Sequence, residues 1–252
     1  MKTILSALAG LALTAALFAS DQVLIVADEF PAMEHVAARL KAEENVTSRV
    51  VWQTNLPPEL SGFSAVMVYI HKALSEPAEK AFIAYALAGG KLIVLHHSIS
   101  AVKRNNKEWF KVLGVALPEG DVGAGGYKWI EGVTQRVVNL APGHFITTHK
   151  IRYLEEIGFR PGGAAAETPL PGFTLTNSEV YLNHILDGPR TLLLGFKFTD
   201  DKSGKTYEQS HSGWLKPSGK GWIIFLQPGH SLRDLEHPVF DRILLNALVW
   251  KP

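Results

Sequence analysis

The segment A-G-G-K-L-I-V-L-H-H-S-I-S, residues 88–100, decides which fold the rest of the chain can adopt. Within it, residues 91–95 form a short, largely apolar run with no polar alternation. Such a run predicts a strand buried on both faces, as in a parallel sheet that is covered by helices. The strand ends at four polar residues, which are His96, His97, Ser98 and Ser100. Because ligands of open α/β sheets bind outside the carboxyl ends of strands, these side chains are the first candidates for a functional site.

The residues before this segment follow a strand–helix pattern. Apolar runs at 22–27, 48–52 and 65–69 predict three strands, and helices that end near Glu44 and Ala88 follow the first and the third of them. This alternation predicts right-handed crossovers and a mostly parallel sheet with helices on both of its faces.

The second half of the chain is less regular. Two segments rich in glycine or proline predict loops, at residues 118–128 and 160–171, and we expect the second loop to be mobile. The other predicted elements are a strand, a β-hairpin, a last buried strand and a closing helix, at residues 133–140, 192–198 with 207–215, 221–226 and 238–250. No repeat and no linker divides the chain, so we expect a single domain at residues 21–252.

The composition excludes several classes of function. The 252 residues include 25 Lys and Arg against 24 Asp and Glu, and no basic stripe is present. Nucleic acid is therefore not an expected partner, since binding to phosphates requires clustered cations. The chain has no cysteine. This absence excludes a thiolate nucleophile and a disulfide bond.

The N-terminus predicts export. Lys2 precedes an apolar run at residues 4–18, and small residues follow before the first acidic residue, Asp21. This order is typical of a secretory signal peptide, here residues 1–20, and predicts a periplasmic or secreted protein. The apolar run is short for a membrane-spanning helix, so we expect no stable membrane insertion after cleavage. An uncleaved membrane anchor is the alternative.

Three of the ten histidines follow predicted buried strands, His96 and His97 after residues 91–95 and His230 after residues 221–226. His97 and His230 are both expected at the carboxyl edge of the sheet. Imidazole can transfer protons near neutral pH and is the commonest metal ligand in proteins. The alternative for each is a hydrogen-bonded structural histidine.

Three further positions have two interpretations each. Glu179 and Tyr181 lie two residues apart on an extended segment and point the same way, so they could supply a base or ligand and a phenol, or belong to a solvated edge strand. Trp214 could stack on a sugar ring or cover the core. Ser98 or Ser100 could serve as a nucleophile, although the chain lacks the G-x-S-x-G turn that such serines occupy.

Several of these segments together resemble one family. Residues 89–98 (G-G-K-L-I-V-L-H-H-S), 177–181 (N-S-E-V-Y) and 219–230 (G-K-G-W-I-I-F-L-Q-P-G-H) resemble, in order and spacing, motifs of the ThuA-like (trehalose-utilisation) proteins. The resemblance extends over residues 23–250. It implies a class I glutamine amidotransferase-like (flavodoxin-like) fold and a role in the use of trehalose and related disaccharides.

The same resemblance suggests which residues matter. The positions that match the family motifs are His96 or His97, Glu179, Tyr181 and His230. Two departures stand out: Asn177-Ser178 replaces an acidic residue that often precedes the family's Glu, and Trp222-Ile223 replaces Arg-Val. A histidine pair occupies the turn where amidotransferases carry their cysteine, so glutamine amidotransfer through a thiolate is excluded.

Our leading hypothesis is an exported enzyme, a hydrolase or a lyase, that acts on a carbohydrate or a modified disaccharide. His97, Glu179 and His230 would be its catalytic acid/base groups or the ligands of a divalent metal such as zinc. The side chains expected to contact the substrate are His96, Tyr181, Ser98 and Trp214. This hypothesis requires the catalytic residues to meet in one pocket at the carboxyl end of the sheet.

Two alternatives remain open. The first is a non-catalytic sugar-binding module on the same scaffold, in which Trp129 and Trp214 would matter more than the titratable groups. The second is a serine hydrolase that uses Ser98 or Ser100. The expected partner is a small-molecule carbohydrate.

Overall fold

The computed structural model describes residues 22–160 and 164–252. The predicted signal peptide and residues 161–163 lie outside the described residues. The regular elements are, in chain order, β1 (Gln22–Ala27), α1 (Phe30–Glu44), β2 (Thr47–Val51), β3 (Ala65–Tyr69), α2 (Glu76–Ala88), β4 (Lys91–Leu95), α3 (Lys107–Leu113), β5 (Val115–Ala116), β6 (Lys128–Asn139), α4 (Phe145–Thr148), β7 (Glu155–Phe159), β8 (Thr168–Leu182), β9 (Ile185–Leu186), β10 (Thr191–Thr199), β11 (Thr206–Ser218), β12 (Gly221–Leu226), α5 (Leu232–Leu235) and α6 (Pro238–Val249).

Ten strands in the described part of the chain form one sheet in the order β2-β1-β3-β4-β12-β11-β10-β6-β8-β7. The first five strands in this order are mutually parallel. From β12 onward every neighbouring pair is antiparallel. We call these two parts the parallel half and the antiparallel half. The parallel half has the strand order of flavodoxin-like sheets.

The prediction of a mostly parallel sheet was therefore wrong, because the sheet is mixed. A parallel connection requires a crossover of a dozen residues or more, whereas antiparallel neighbours need only a short turn. The links from β10 to β11 and from β11 to β12 have room only for such turns, at residues 200–205 and 219–220. The predicted hairpin was correct, and it extends the sheet in antiparallel fashion.

Helices cover both faces of the parallel half, as the sequence predicted. Side chains of α1 and α6 pack on one face, and those of α2 pack on the other. The Ser75 hydroxyl caps α2 by accepting the Ala78 N–H at 3.4 Å. At the far end Gly90 lies against the Tyr85 ring, and a Cβ at that position would come within 2.4 Å of it. Only glycine fits this turn, which leads α2 into β4.

The prediction of a loop at residues 160–171 was only partly correct, since β8 begins at Thr168. Pro169 and Pro171 made this start of the strand hard to predict from the sequence. Both prolines pair only with β7, because pairing with β6 starts at Gly172. The missing proline N–H groups are therefore tolerated on the side of the strand that has no neighbour there. Among the described helices, none is both long and apolar enough to cross a lipid bilayer.

Candidate functional site

Four side chains meet at the carboxyl end of the parallel half. His96 and His97 follow β4 directly, His230 follows β12, and Glu179 reaches in from β8 of the antiparallel half. One ligand atom of each residue lies within 4.8 Å of the corresponding atom of every other. We call these residues the imidazole–carboxylate cluster. The expected convergence of His97, Glu179 and His230 is thus found, and His96 joins them.

One carboxylate oxygen is the centre of the cluster. Glu179 Oε2 lies 2.7 Å from His96 Nε2, 3.2 Å from His230 Nδ1 and 3.6 Å from His97 Nε2. Glu179 is only 3% exposed and His96 is fully buried. A buried carboxylate oxygen that faces three imidazole nitrogens requires protons or a cation between them, because bare nitrogen and oxygen lone pairs repel each other.

His96 makes this requirement specific. Its Nδ1 faces the carbonyl oxygen of Gln227, which can only accept a hydrogen bond, so Nδ1 carries the proton. In the neutral ring Nε2 is then an unprotonated acceptor, yet it faces the Glu179 carboxylate. The backbone of His96 is also left-handed, with φ 44°, a conformation that is costly outside glycine and clusters at functional sites.

Two opposed bulges direct Glu179 toward the histidines. The register of β6 and β8 shifts twice next to Glu179, first by one extra residue on β6 and then by one on β8. Gly132 and Asn177 have φ of 72° and 54° there. Asparagine tolerates the left-handed region better than other non-glycine residues. Asn177-Ser178 replaces the acidic residue that often precedes the family's Glu. Asn177 therefore allows the left-handed backbone of the bulge on β8.

A buried acid that the sequence did not indicate supports the cluster. Asp234 Oδ2 accepts hydrogen bonds from the Ser178 hydroxyl at 2.6 Å and from the backbone N–H groups of Gly229 and His230 at 3.2 and 3.0 Å. Asp234 is 1% exposed. It thereby joins the residue next to Glu179 to the turn that carries His230. Its position one turn into a short helix gave no sign of this role.

Two tyrosines complete the packing. The Tyr181 ring stacks on His96, with ring centroids 4.8 Å apart, and it is buried. The Tyr69 hydroxyl donates to the Gly229 carbonyl at 2.9 Å. Burial and the negative charge of Glu179 raise the pKa of Tyr181 well above its usual value. Tyr181 thus lies beside the cluster as a neutral phenol.

A second carboxylate–imidazole pair, also not predicted, lies next to the cluster at the point where the strand order reverses. The Asp28 carboxylate, after β1, accepts from the backbone N–H of His71 at 2.9 Å and from its Nδ1 at 3.2 Å. The His71 ring lies against His97, with centroids 3.4 Å apart. Burial opposes ionisation of Asp28, but its bonds to His71 and the Lys72 N–H lower its pKa to about 2. The signal in the sequence was its place after β1, at a switch point.

Two predicted substrate contacts point elsewhere. The Ser98 hydroxyl donates to the Val68 carbonyl at 2.7 Å and is buried, so it holds β4 to β3. Trp214 is fully buried and packs on Phe225, so the core interpretation replaces the sugar-stacking one. Trp129, by contrast, is 51% exposed and pairs with Tyr181 across β6 and β8.

The electrostatics of the cluster favour a cation. Burial by itself would raise the pKa of Glu179, but hydrogen bonds from His230 and His96, which require a proton on each facing nitrogen, lower it to about 2. The bond to Glu179 raises the pKa of His230. Burial and the positive charges of neighbouring histidines hold the pKa of His97 far below its usual range. At neutral pH the site therefore offers a carboxylate and at least one neutral imidazole, which are good metal ligands.

The fold and this site define a mixed α/β protein with a buried imidazole–carboxylate cluster at the carboxyl edge of its parallel strands. A family model described as "Trehalose utilisation" (ThuA) matches residues 16–251. The chain belongs to the ThuA family, as the sequence motifs suggested, and this membership points to a carbohydrate-related role. No curated protein matches the chain significantly.

Solved structures agree with this assignment at the level of the fold. A ThuA-like protein from Parabacteroides merdae ATCC 43184 has a TM-score of 0.62 and 12% identity, over 91% of this chain and 88% of that one. A ThuA-like protein from Bacteroides uniformis ATCC 8492 has a TM-score of 0.61 and 14% identity, over 90% and 89%. A protein from Salmonella typhimurium LT2, described as cytoplasmic, has a TM-score of 0.58 and 14% identity, over 90% and 98%.

Proposed function

We propose that the protein is a metal-dependent enzyme that acts on a carbohydrate derivative, and that its imidazole–carboxylate cluster holds one divalent cation. The observation that carries this proposal is the single buried oxygen of Glu179 facing three imidazole nitrogens at 2.7, 3.2 and 3.6 Å. The carbohydrate class rests on the family, whose description is trehalose utilisation.

The distances fit a small cation. Around a tetrahedral ion with ligands at about 2.1 Å, neighbouring ligand atoms lie roughly 3.4 Å apart. The Glu179–His97 and Glu179–His230 distances of 3.6 and 3.2 Å agree with this spacing. The Glu179–His96 distance of 2.7 Å is shorter, so one of these two side chains would move by less than about 1 Å on binding.

The surroundings resemble those of known metal ligands. Histidines that bind metals usually donate their other ring N–H to a carbonyl or carboxylate, and His96 does so to the Gln227 carbonyl. Imidazole and carboxylate ligands suit zinc, iron, nickel and manganese better than they suit calcium. Protonation of the three rings is the alternative, but burial and mutual repulsion disfavour it, most strongly at His97.

The roles of the residues follow from their positions. A bound divalent ion would supply Lewis-acid polarisation of a sugar oxygen or activation of water. His96, His97, Glu179 and His230 would hold it, with Asp234 fixing the turn that carries His230. The reaction class within hydrolases and lyases depends on how the sugar is oriented.

Export is also part of the proposal, and it rests on the N-terminal sequence alone. The Salmonella relative is described as cytoplasmic and does not support it. The mass of the mature protein recovered from cells tests it, because signal cleavage would remove about 20 residues. Recovery of the full-length chain from the cytoplasm would contradict it. The link to class I glutamine amidotransferases likewise stays a proposal.

Metal analysis followed by turnover tests the main proposal. We expect the purified protein to bind close to one zinc or manganese ion per chain, and we expect Glu179→Gln and His97→Ala to bind none. His149→Ala, which removes an exposed histidine outside the cluster, is the matched control. Turnover is then measured on plain and oxidised disaccharides with and without metal. Failure to bind any divalent ion, or equal turnover after chelation, would contradict the proposal.

A further inference from the structure

The geometry points to a second binding element beside the cluster: His184, Ser212 and Gln227 form a buried polar subsite that takes hydroxyl groups of a neutral sugar. The inference rests on the proposed function, which supplies the carbohydrate class. It extends the proposed function by naming the residues that would contact the rest of the sugar and the hydrogen-bonding groups that would recognise it.

The first observation is a group of buried polar atoms without partners. Within the described residues, neither ring nitrogen of His184, nor the Ser212 hydroxyl, nor either end of the Gln227 amide makes a hydrogen bond. His184 is 7% exposed, and the other two are fully buried. Native interiors satisfy most buried polar groups, so unpartnered ones on three residues near the cluster require an explanation. A ligand that supplies hydrogen-bond donors and acceptors to these atoms would provide this explanation.

The second observation is that these residues adjoin the cluster. The Gln227 carbonyl accepts from His96, and the Gln227 N–H donates to the Ser212 carbonyl at 2.7 Å. The neighbour of Ser212, His211, donates from Nε2 to the Tyr181 carbonyl at 2.8 Å, and its ring lies 4.9 Å from that of His184. Backbone hydrogen bonds thus place Gln227 and Ser212 beside the cluster, and His211 connects His184 to Tyr181.

The side chains select the class of ligand. An amide, a hydroxyl and a neutral imidazole each both donate and accept hydrogen bonds, as sugar hydroxyls do. Burial lowers the pKa of His184 well below its usual value, so the ring carries no charge. Tyr127 and Tyr181 provide ring surfaces beside it, which suit the C–H faces of a sugar. A phosphorylated sugar would bury its charge among groups that cannot neutralise it.

The subsite has a cover that could open. The Tyr127 ring stacks on His184, with centroids 5.5 Å apart and planes 12° apart. Tyr127 ends a loop at residues 117–127 in which Gly120 and Gly125 have φ of 107° and 96°. Asn183 holds this loop through hydrogen bonds to its carbonyls at 2.9 and 3.1 Å. A sugar would enter by displacing this loop, and bound sugar should slow hydrogen exchange of its amides.

Apolar substitutions of the unpartnered groups give the sharpest test. Calorimetry on the metal-loaded protein would compare Ser212→Ala and Gln227→Leu with the wild type, using trehalose, maltose and trehalose 6-phosphate. Replacing an unpartnered buried polar group by an apolar one of similar shape does not weaken folding. We therefore expect an equal or higher Tm but at least about tenfold weaker binding of the neutral disaccharide. Ser218→Ala, at the other end of the same strand, is the matched control.

Three outcomes would overturn the inference: no binding of trehalose or maltose to the wild type, unchanged affinity in both variants, or tighter binding of trehalose 6-phosphate. Repeating the titration on chelated protein separates this inference from the metal proposal. Sugar binding that depends on Ser212 and Gln227 in a protein that holds no metal would support the subsite and contradict the metal centre.

Discussion

The parallel half and the antiparallel half of the sheet contribute to the site in different ways. The parallel half supplies imidazoles from the ends of short buried strands. The antiparallel half supplies Glu179 from within a long strand, beside two bulges. Topology thus brings the strand ends to one edge, where His96 adopts a left-handed backbone, whereas Glu179 lies within a strand beside two bulges. The site exists only where the halves meet.

Removing the contribution of the antiparallel half should have the largest effect. We expect Glu179→Gln to reduce metal affinity by more than about a hundredfold, because it removes the charged oxygen that three imidazoles share. Equilibrium dialysis with zinc measures this change. Glu156→Gln, an exposed change on β7 of the same half, should leave the affinity unaltered. Equal affinities in the two variants would place the cation elsewhere.

Removing the hydrogen bonds by which Asp234 joins the two halves should destabilise the fold. Asp234→Ala leaves the Ser178 hydroxyl and the N–H groups of Gly229 and His230 without their acceptor. We expect a loss of about 3 kcal/mol in the free energy of unfolding, since three donors lose their acceptor and each unsatisfied buried donor costs roughly 1 kcal/mol or more. Urea denaturation measures it. Asp234→Asn, which keeps an acceptor oxygen, should lose less, and an equal loss would mean that shape rather than hydrogen bonding matters.

Substitutions of Asn177, the left-handed residue of the bulge on β8, test whether this bulge directs Glu179 toward the histidines. Asn177→Ala should cost about 1 kcal/mol of stability and weaken metal binding, because alanine disfavours a φ of 54°. Asn177→Gly should fold and bind like the wild type. If both variants bind metal normally, the bulge does not direct Glu179, and the contrast drawn between the two halves fails. Paired denaturation and dialysis measurements on both variants decide this.

The last prediction concerns a difference in acid stability. The pKa of Glu179 in the folded protein is about 2, below the ordinary value of 4.5. A carboxyl with a lowered folded pKa stabilises the fold above its ordinary pKa, and this contribution is lost as the pH falls through the folded pKa. We therefore expect metal-free wild type to lose more stability than Glu179→Gln between about pH 5 and pH 2. Parallel Tm curves would contradict this.

The parallel half could largely be predicted from the sequence, and the antiparallel half could not. Apolar runs such as residues 91–95 and a Gly-Gly turn leave few alternatives, and topology then brings His97 and His230 together. In β8, prolines and left-handed residues interrupt the pattern that identifies a strand. Glu179 was singled out by its motif and by the family resemblance, and its direction depends on bulges that alternation rules do not foresee.

The supporting residues were missed for a different reason. Asp28 bonds to the backbone of His71 and Asp234 bonds to the Ser178 hydroxyl, and both partners are distant in the chain. Single-sequence patterns contain no information about such partners. Ser98 and Trp214 were wrongly assigned as substrate contacts because the sequence alone does not show which side chains face the core. Ser98 lies in the turn after β4 and bonds to the Val68 carbonyl, and Trp214 lies on β11, whose pairing with β10 has two irregularities.

The position of β12 has a consequence for biosynthesis. This strand leaves the ribosome after every other strand of the sheet, yet it lies between β4 and β11 in the middle of the sheet. Until it inserts, both neighbours present unpaired edges, and such edges promote aggregation. Nascent chains halted before residue 221 should therefore depend on chaperones, and the full-length protein should fold slowly because its central pairing joins distant segments.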